Sequence, residues 1–264
     1  MNQASAASVP PTLLALDTAT ETLHLALLAK GATHVEQHAG GAQASASLIP
    51  AAQALLAAAG LSWSDLDAIA FGRGPGAFTG LRTAAAVAQG LAFGARKPVI
   101  AIDTLLAVAE DARQAADASG IALQRVWAAT DARMGEIYAA AYRWDGARWH
   151  AEVEPQLLRP ADVAAHVQAA SNANPGAVAV AGNALLAHGA ALEAAGLPTA
   201  LARWPDAAPR GAALLALAQA AWADGLALDA AQALPLYVRD KVAQTTAERL
   251  AEREAQAAAR AAAA

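Results

Sequence analysis

The chain has 264 residues, 56% of them hydrophobic and 16% charged, with a formal net charge of -5. That length supports one large domain or two small ones, each with its own core, and the acidic balance argues against holding nucleic acid on its own basic surface, which needs Lys and Arg to neutralise phosphates. The lack of cysteine excludes disulfides, thiolate metal sites and a thiol nucleophile, and it fits a cytoplasmic location.

Residues 1–11 have no basic segment followed by an apolar one, so they are expected to be a disordered extension rather than a signal peptide. No run of large apolar side chains is long enough for a membrane span. Leu13 to Asp17, Leu23 to Leu28 and Thr33 to Gln37 are short apolar or alternating runs separated by polar and glycine breaks, the pattern of a three-stranded antiparallel meander. Ala44 to Ala59 predicts a helix closed by Gly60. A strand over Asp67 to Phe71, a helix over Thr79 to Phe93 ending at Gly94, a strand over Pro98 to Ile102 and a helix from Thr104 complete a ribonuclease-H-like lobe.

The second half repeats the order. Arg125 to Asp131, Glu136 to Arg143 and Arg148 to Glu152 predict a second meander, with helices over Ala161 to Ala170 and Ala212 to Gly225 and a strand over Ala177 to Ala181. Asp17 and Asp131 each fall where the first strand of their meander ends. The expected fold is therefore α/β, an actin-like duplication of two ribonuclease-H-like lobes with mixed sheets and a cleft between them. The first lobe is assigned to 12–107 and a smaller second lobe to 108–240, whose last helix has the option of returning to the first. An Ala-rich tail occupies 241–264.

Phe71 to Arg82 reads FGRGPGAFTGLR between a strand and a helix. Its glycines permit close approach of a phosphate or of another piece of backbone, and the helix start offers free amides. The spacing is neither that of a dinucleotide fingerprint nor that of a P-loop, so a tight packing turn and a phosphate cradle both remain open. Asp17 and Thr18 stand at the first hairpin turn, where an acid could orient magnesium or simply close the turn. Asp131-Ala132-Arg133-Met134-Gly135-Glu136 is the matching turn in the second half. His34, Glu36 and His38 share one face of a strand, but the strand lies near a sheet edge where polar side chains usually face water, and no metal site is expected. Both first-lobe helices carry alanines on several faces, which suits close helix packing inside the lobe or against another molecule.

Together, LALDTATE at Leu14 to Glu21, FGRGPGAFTGLR at Phe71 to Arg82, AQGLA at Ala88 to Ala92, DARMGEIY at Asp131 to Tyr138 and PLYVR at Pro235 to Arg239 resemble the TsaB family, also called YeaZ, over about residues 12 to 240. The resemblance implies a non-catalytic scaffold that binds the TsaD subunit, the transferase that places threonylcarbamoyl on adenosine beside the anticodon of ANN-decoding tRNAs. A separate synthase would supply threonylcarbamoyl-adenylate, and the small ATPase TsaE would reset the complex.

The resemblance further implies that TsaD binds helices 44–59 and 79–93, through Leu48, Ala52, Leu55, Thr83, Val87 and Leu91; an exposed apolar helix pair left without that partner is expected to pair with itself, so the chain is expected to form a homodimer when alone. It would meet tRNA only through the complex and would not associate with membranes. No cofactor is implied for this chain by itself; ATP or ADP with magnesium has its place at the interface of the complex, and Asp17, Thr18, Gly74 and Gly76 are the positions here that correspond to nucleotide-binding residues. TsaD is a paralogue, but its H-x-E-x-H metal motif is absent where it would fall, at Asp103 to Val108. Two departures from the family pattern are Ala44, where a histidine is usual, and Ala184, where nucleotide-binding relatives have a second glycine. The alternatives are an ATP-dependent phosphotransferase of the sugar-kinase type, using Asp17 for magnesium and Gly74 to Gly76 for phosphate with Asp131 as acid, and a metal hydrolase using His34, Glu36 and His38.

Overall fold

The computed structural model describes residues 10–174 and 177–239; nearly all of the expected N-terminal extension and the whole Ala-rich tail lie outside these residues. The first sheet holds β1 (Leu13–Asp17), β2 (Thr22–Ala29), β3 (Ala32–Ala39), β4 (Ala68–Gly74) and β5 (Val99–Asp103), in the order β3-β2-β1-β4-β5. The second holds β6 (Arg125–Asp131), β7 (Ile137–Trp144), β8 (Trp149–Leu158), β9 (Val178–Ala181) and β10 (Ala202–Trp204), in the order β10-β9-β6-β7-β8. Read from the meander edge, both sheets run third, second, first, fourth, fifth, with antiparallel meander pairs and parallel additions. This is the duplicated α/β architecture of actin-like proteins.

Alternation along the buried strands decides what packs on each face. On the first sheet Leu14, Leu16, Leu23, Leu25 and Leu27 face α1 (Ala44–Ala58) and α2 (Phe78–Ala95). Their neighbours Leu13, Ala15, Ala26 and Leu28 face α7 (Gly211–Ala223) through Leu214, Leu215 and Ala218. On the second sheet Trp127, Ala129, Ile137 and Ala139 face α4 (Pro160–Ala173) with its Val163 and Val167, while Val126, Ala128, Ala140 and Tyr142 face α3 (Thr104–Ala118). Helices α3 and α7 also pack on each other. They fill the space between the two sheets, and the expected lobe boundary after residue 107 falls inside α3.

Several expected ends moved. Helix α2 runs through Gly94 to Ala95 and stops at Arg96, whose left-handed φ of 56° closes the helix in place of glycine. Strand β8 continues past Glu152 to Leu158 because it is the sheet edge, where Pro155 gives up no ladder hydrogen bond. The short helices α5 (Ala184–Ala187) and α6 (Gly189–Ala194) and strand β10 were not foreseen; each is too short to show a period.

Candidate functional site

A cleft of about 940 Å³ opens between the lobes, lined by the β1–β2 turn, the glycine-rich segment, the turn after β6, the segment leading into α7 and the C-terminal segment 236–239. The expected phosphate site on its first-lobe wall is filled. Asp17 and Thr18 are wholly buried. Asp17 accepts hydrogen bonds from the Ala19 amide at 2.7 Å and from Thr104 Oγ1 at 3.0 Å, and Thr18 Oγ1 donates to the Gly80 carbonyl at 2.7 Å.

The glycines make this closure possible. A Cβ on Gly72 would overlap the Asp17 carboxylate and one on Gly80 would overlap the Thr18 carbonyl oxygen. A Cβ on Gly76 would sit 2.6 Å from that of Ala19, and one on Gly74 would sit 2.8 Å from the Leu236 carbonyl oxygen. Only Gly76 of the four expected nucleotide residues borders the cleft. Of the two readings of the segment, the packing turn is the one present; Asp17, Thr18 and Gly74 are corrected from ligand-facing to interior residues. These residues do not fit a nucleotide phosphate with magnesium. Burial pushes the Asp17 carboxyl up to about 6 against the lowering pull of its two hydrogen bonds, which describes a group removed from water rather than a metal ligand.

The second-lobe turn is held open by strain and by partners. Arg133 and Met134 both have positive φ, 64° and 55°, an uncommon state for side chains of this size. The Asp131 carboxylate accepts from the Arg133 amide at 2.9 Å and lies 2.9 Å from His188 Nε2. Partial burial pushes that carboxyl up, but these partners outweigh it and hold it below the usual carboxylate range. Arg133 reaches across the cleft to Glu21 at 3.1 Å, an exposed pair of little energetic weight.

Residues 236–239 strap the two walls together. The Leu236 amide donates to the Arg73 carbonyl at 2.7 Å, and Tyr237 stacks on Phe78 at 5.1 Å between ring centres while accepting from Arg82 Nε at 3.1 Å. Val238 enters the second-lobe core, and Arg239 donates to the Ala132 carbonyl at 2.9 Å and pairs with Glu136 at 2.8 Å. Arg239 therefore stabilises the strained turn from outside. Arg239→Ala is expected to lower stability by about 1–2 kcal/mol, seen as a lower urea midpoint at unchanged slope; an unchanged midpoint would remove the strap from the account.

The second candidate surface is the outer face of α1 and α2. Leu48 and Ala52 are wholly buried and Leu55 is 5% exposed, all three in the core against the sheet. Val87 and Leu91 are partly buried against the same core, and Thr83 is half-exposed. Leu48, Ala52 and Leu55 are thus corrected from surface to interior. The reason is energetic: in an alanine-rich helix the few large side chains are drawn inward, each fully buried Leu contributing about 1.5–3 kcal/mol. What remains outside is small. The exposed stripe of α2 is Thr79, Arg82, Ala86, Gly90 and Phe93, beside Ala46, Ile49, Pro50 and Gln53 of α1. Phe93 is 62% and Ile49 42% exposed.

His34 is exposed on the edge strand β3, while His38 Nε2 sits 2.9 Å from Glu36. Among the described residues no three His, Asp or Glu side chains gather in a geometry that could hold a metal ion. Asp103, where the paralogue's metal motif would begin, caps β5 and receives Arg73 Nε at 2.5 Å, and Thr104 opens α3. No helix among the described residues is long and apolar enough to cross a membrane. Sequence reasoning missed the strap as a cleft wall and also His24 and Arg210, because neither residue belongs to a motif.

The model of a family described as TsaD: tRNA N6-adenosine threonylcarbamoyltransferase matches residues 37–263. The chain is 40% identical over 149 residues to the tRNA threonylcarbamoyladenosine biosynthesis protein TsaB of Escherichia coli, covering 56% of this chain and 62% of that protein. It is 48% identical over 128 residues to the TsaB protein of Haemophilus influenzae, covering 48% and 52%. These alignments thus span less than two thirds of either relative's length. Among solved structures, YeaZ from Pseudomonas aeruginosa is 37% identical with a TM-score of 0.73, covering 86% of this chain and 99% of that one. Matching sequence motifs, the duplicated fold and this structural likeness over nearly the whole of a relative place the chain in the TsaB family, also called YeaZ.

Proposed function

We propose that this chain is a non-catalytic subunit in the formation of threonylcarbamoyladenosine on tRNA, and that it binds the TsaD protein through the exposed faces of α1 and α2. The observation that carries the reading is the stripe of Thr79, Ala86, Gly90 and Phe93 beside Ile49 and Pro50. Small residues let a second helix approach closely, and Phe93 and Ile49 supply apolar area at its ends. The filled phosphate site supports an accessory role over a phosphotransferase, since Asp17 has no access to the cleft.

The contact set of this proposal is Ile49, Pro50, Thr79, Ala86, Gly90 and Phe93, with the partly buried Thr83 between them, rather than the inward-facing leucines. By the same reading the subunit needs no cofactor of its own, ATP or ADP with magnesium belongs to the complex interface, TsaE and tRNA are met in the complex, and the free protein pairs with itself through the same face.

The test is light scattering coupled to size exclusion on the protein mixed with the TsaD protein of its own organism, wild type beside Ala86→Arg. Ala86 is exposed, so the substitution leaves the core alone. A co-eluting complex with the wild type, weakened at least tenfold by the arginine, is expected, along with loss of the homodimer. No complex with the wild type would sink the proposal.

A further inference from the structure

Of the four strands at sheet edges, three are poor templates for another strand. The outer side of β5 is covered at Val99, whose amide and carbonyl bond Leu228 at 2.9 and 2.8 Å. Strand β10 has only three residues, and β8 carries Pro155 and shifts register against β7. These are common ways of blunting an edge. Strand β3 has none of them. Its eight residues run in unbroken register with β2, hold no proline or lysine, and are mostly exposed, Val35 at 55%.

The direction of its backbone groups follows from the hairpin. The Gly40 amide donates to the Glu21 carbonyl at 2.9 Å, one step beyond the Thr22–Ala39 pair. Bonded and non-bonded pairs alternate along an antiparallel ladder, so Ala32, His34, Glu36 and His38 turn their amides and carbonyls toward β2. Thr33, Val35 and Gln37 turn theirs outward, where no other backbone group among the described residues bonds them.

This row fits a second copy of itself. Antiparallel pairing about a two-fold axis at Val35 sets Val35 against its counterpart and Thr33 against Gln37, each of these residues giving one bond and taking one. The same register sets His34 of each copy against Glu36 of the other, at the closer, non-bonded positions. Imidazole thus meets carboxylate twice by symmetry. The neighbouring registers lose this: an axis at Glu36 sets carboxylate against carboxylate, and one at His34 sets imidazole against imidazole. Glu36 Oε2 lies 2.9 Å from His38 Nε2 of its own chain, which leaves Oε1 for the second copy.

We infer that β3 is a pairing edge for a second copy of this chain, joining two first-lobe sheets into one continuous sheet with His34 and Glu36 fixing the register. The contact lies on the rim of the sheet rather than on the outer surfaces of α1 and α2, so it does not rest on the partner contact proposed above. One strand from each copy makes a small and therefore weak interface, which covalent trapping reads better than elution does.

The chain has no cysteine, so a single introduced one reports the register. Every variant is made in Ala86→Arg, which keeps any contact through α1 and α2 out of the readout. In the paired edge the two copies of residue 35 have Cα atoms about 5.5 Å apart, within disulfide range, whereas the two copies of residue 33 stand about 13 Å apart. Both positions are exposed. With oxidised glutathione, Val35→Cys is expected to give a disulfide-linked dimer on non-reducing gels at least tenfold faster than Thr33→Cys. Adding Glu36→Lys to Val35→Cys should slow trapping by about tenfold, since the lost pair occurs twice, and adding His34→Glu as well, which exchanges the two side-chain charges, should restore it. Equal rates for the two cysteines, a rate that Glu36→Lys leaves unchanged, or no recovery in the exchanged variant overturns the inference.

Discussion

Gly80→Ala is expected to destabilise the protein by about 3 kcal/mol or more, although alanine is the better helix former. Gly80 is the third residue of α2, so propensity alone favours the substitution by about 0.5–1 kcal/mol. Against this, its new Cβ would overlap the Thr18 carbonyl oxygen, which belongs to backbone and cannot swing away. The Thr18 side chain is tied to the Gly80 carbonyl as well, so turn and helix cannot part without losing that bond. Overpacking of this kind costs about 1–3 kcal/mol in a yielding core and more against fixed backbone. Gly90 in the same helix has nothing within 4 Å of its missing Cβ, and Gly90→Ala should raise stability by about 0.5–1 kcal/mol. Urea midpoints at constant slope measure both. A Gly80→Ala midpoint at or above wild type would show that the glycine segment is not a packing device.

Asp17→Asn is expected to leave stability near wild type at pH 4 and to raise it by about 2–3 kcal/mol at pH 8. Burial lifts the Asp17 carboxyl from 3.8 to about 6, so the folded state holds the proton more tightly than the unfolded chain does. Its stabilising contribution is complete below pH 3.8 and is lost as pH rises through about 6. The gap corresponds to about 3 kcal/mol once the group is ionised. Asparagine keeps an oxygen for the Ala19 amide and places an amide hydrogen toward Thr104 Oγ1, without the buried charge. His24 acts in the opposite sense. Its ring is depressed from 6.5 to about 4, so its contribution is complete above pH 6.5 and is lost as pH falls through about 4. Comparing Asp17→Asn with wild type at each pH cancels the histidine. A difference of equal size at pH 4 and pH 8 would contradict the buried-acid account.

Much of this molecule was legible before folding. The two meanders, their helices and the duplication followed from alternating apolar runs, glycine and proline breaks and the matching positions of Asp17 and Asp131. The glycine segment was legible as a place of close approach, but not what approaches: its neighbours are the first hairpin turn and the Leu236 carbonyl, 62 and 162 residues from Gly80 and Gly74 in the chain. Both a phosphate and a peptide carbonyl demand the same missing side chain, so composition could not tell them apart.

The helix surface shows the same division. Which stretches are helical, and that they are rich in small residues, is written locally in Ala44 to Ala58 and Phe78 to Ala95. Which face is outward depends on where the sheet lies, because burial of Leu48, Leu55 and Leu56 against β2 sets the rotation of α1 and leaves Ile49 outside. His24 had no motif to announce it. Its setting arises only when α7, almost two hundred residues later, ends its approach on Ala26. Local sequence determined the elements and the repeat, since these rest on periodicity and backbone preference; the filled turn, the outward helix face and the burial of His24 beside α7 were decided by tertiary packing, since each joins atoms that only the closed fold brings within contact.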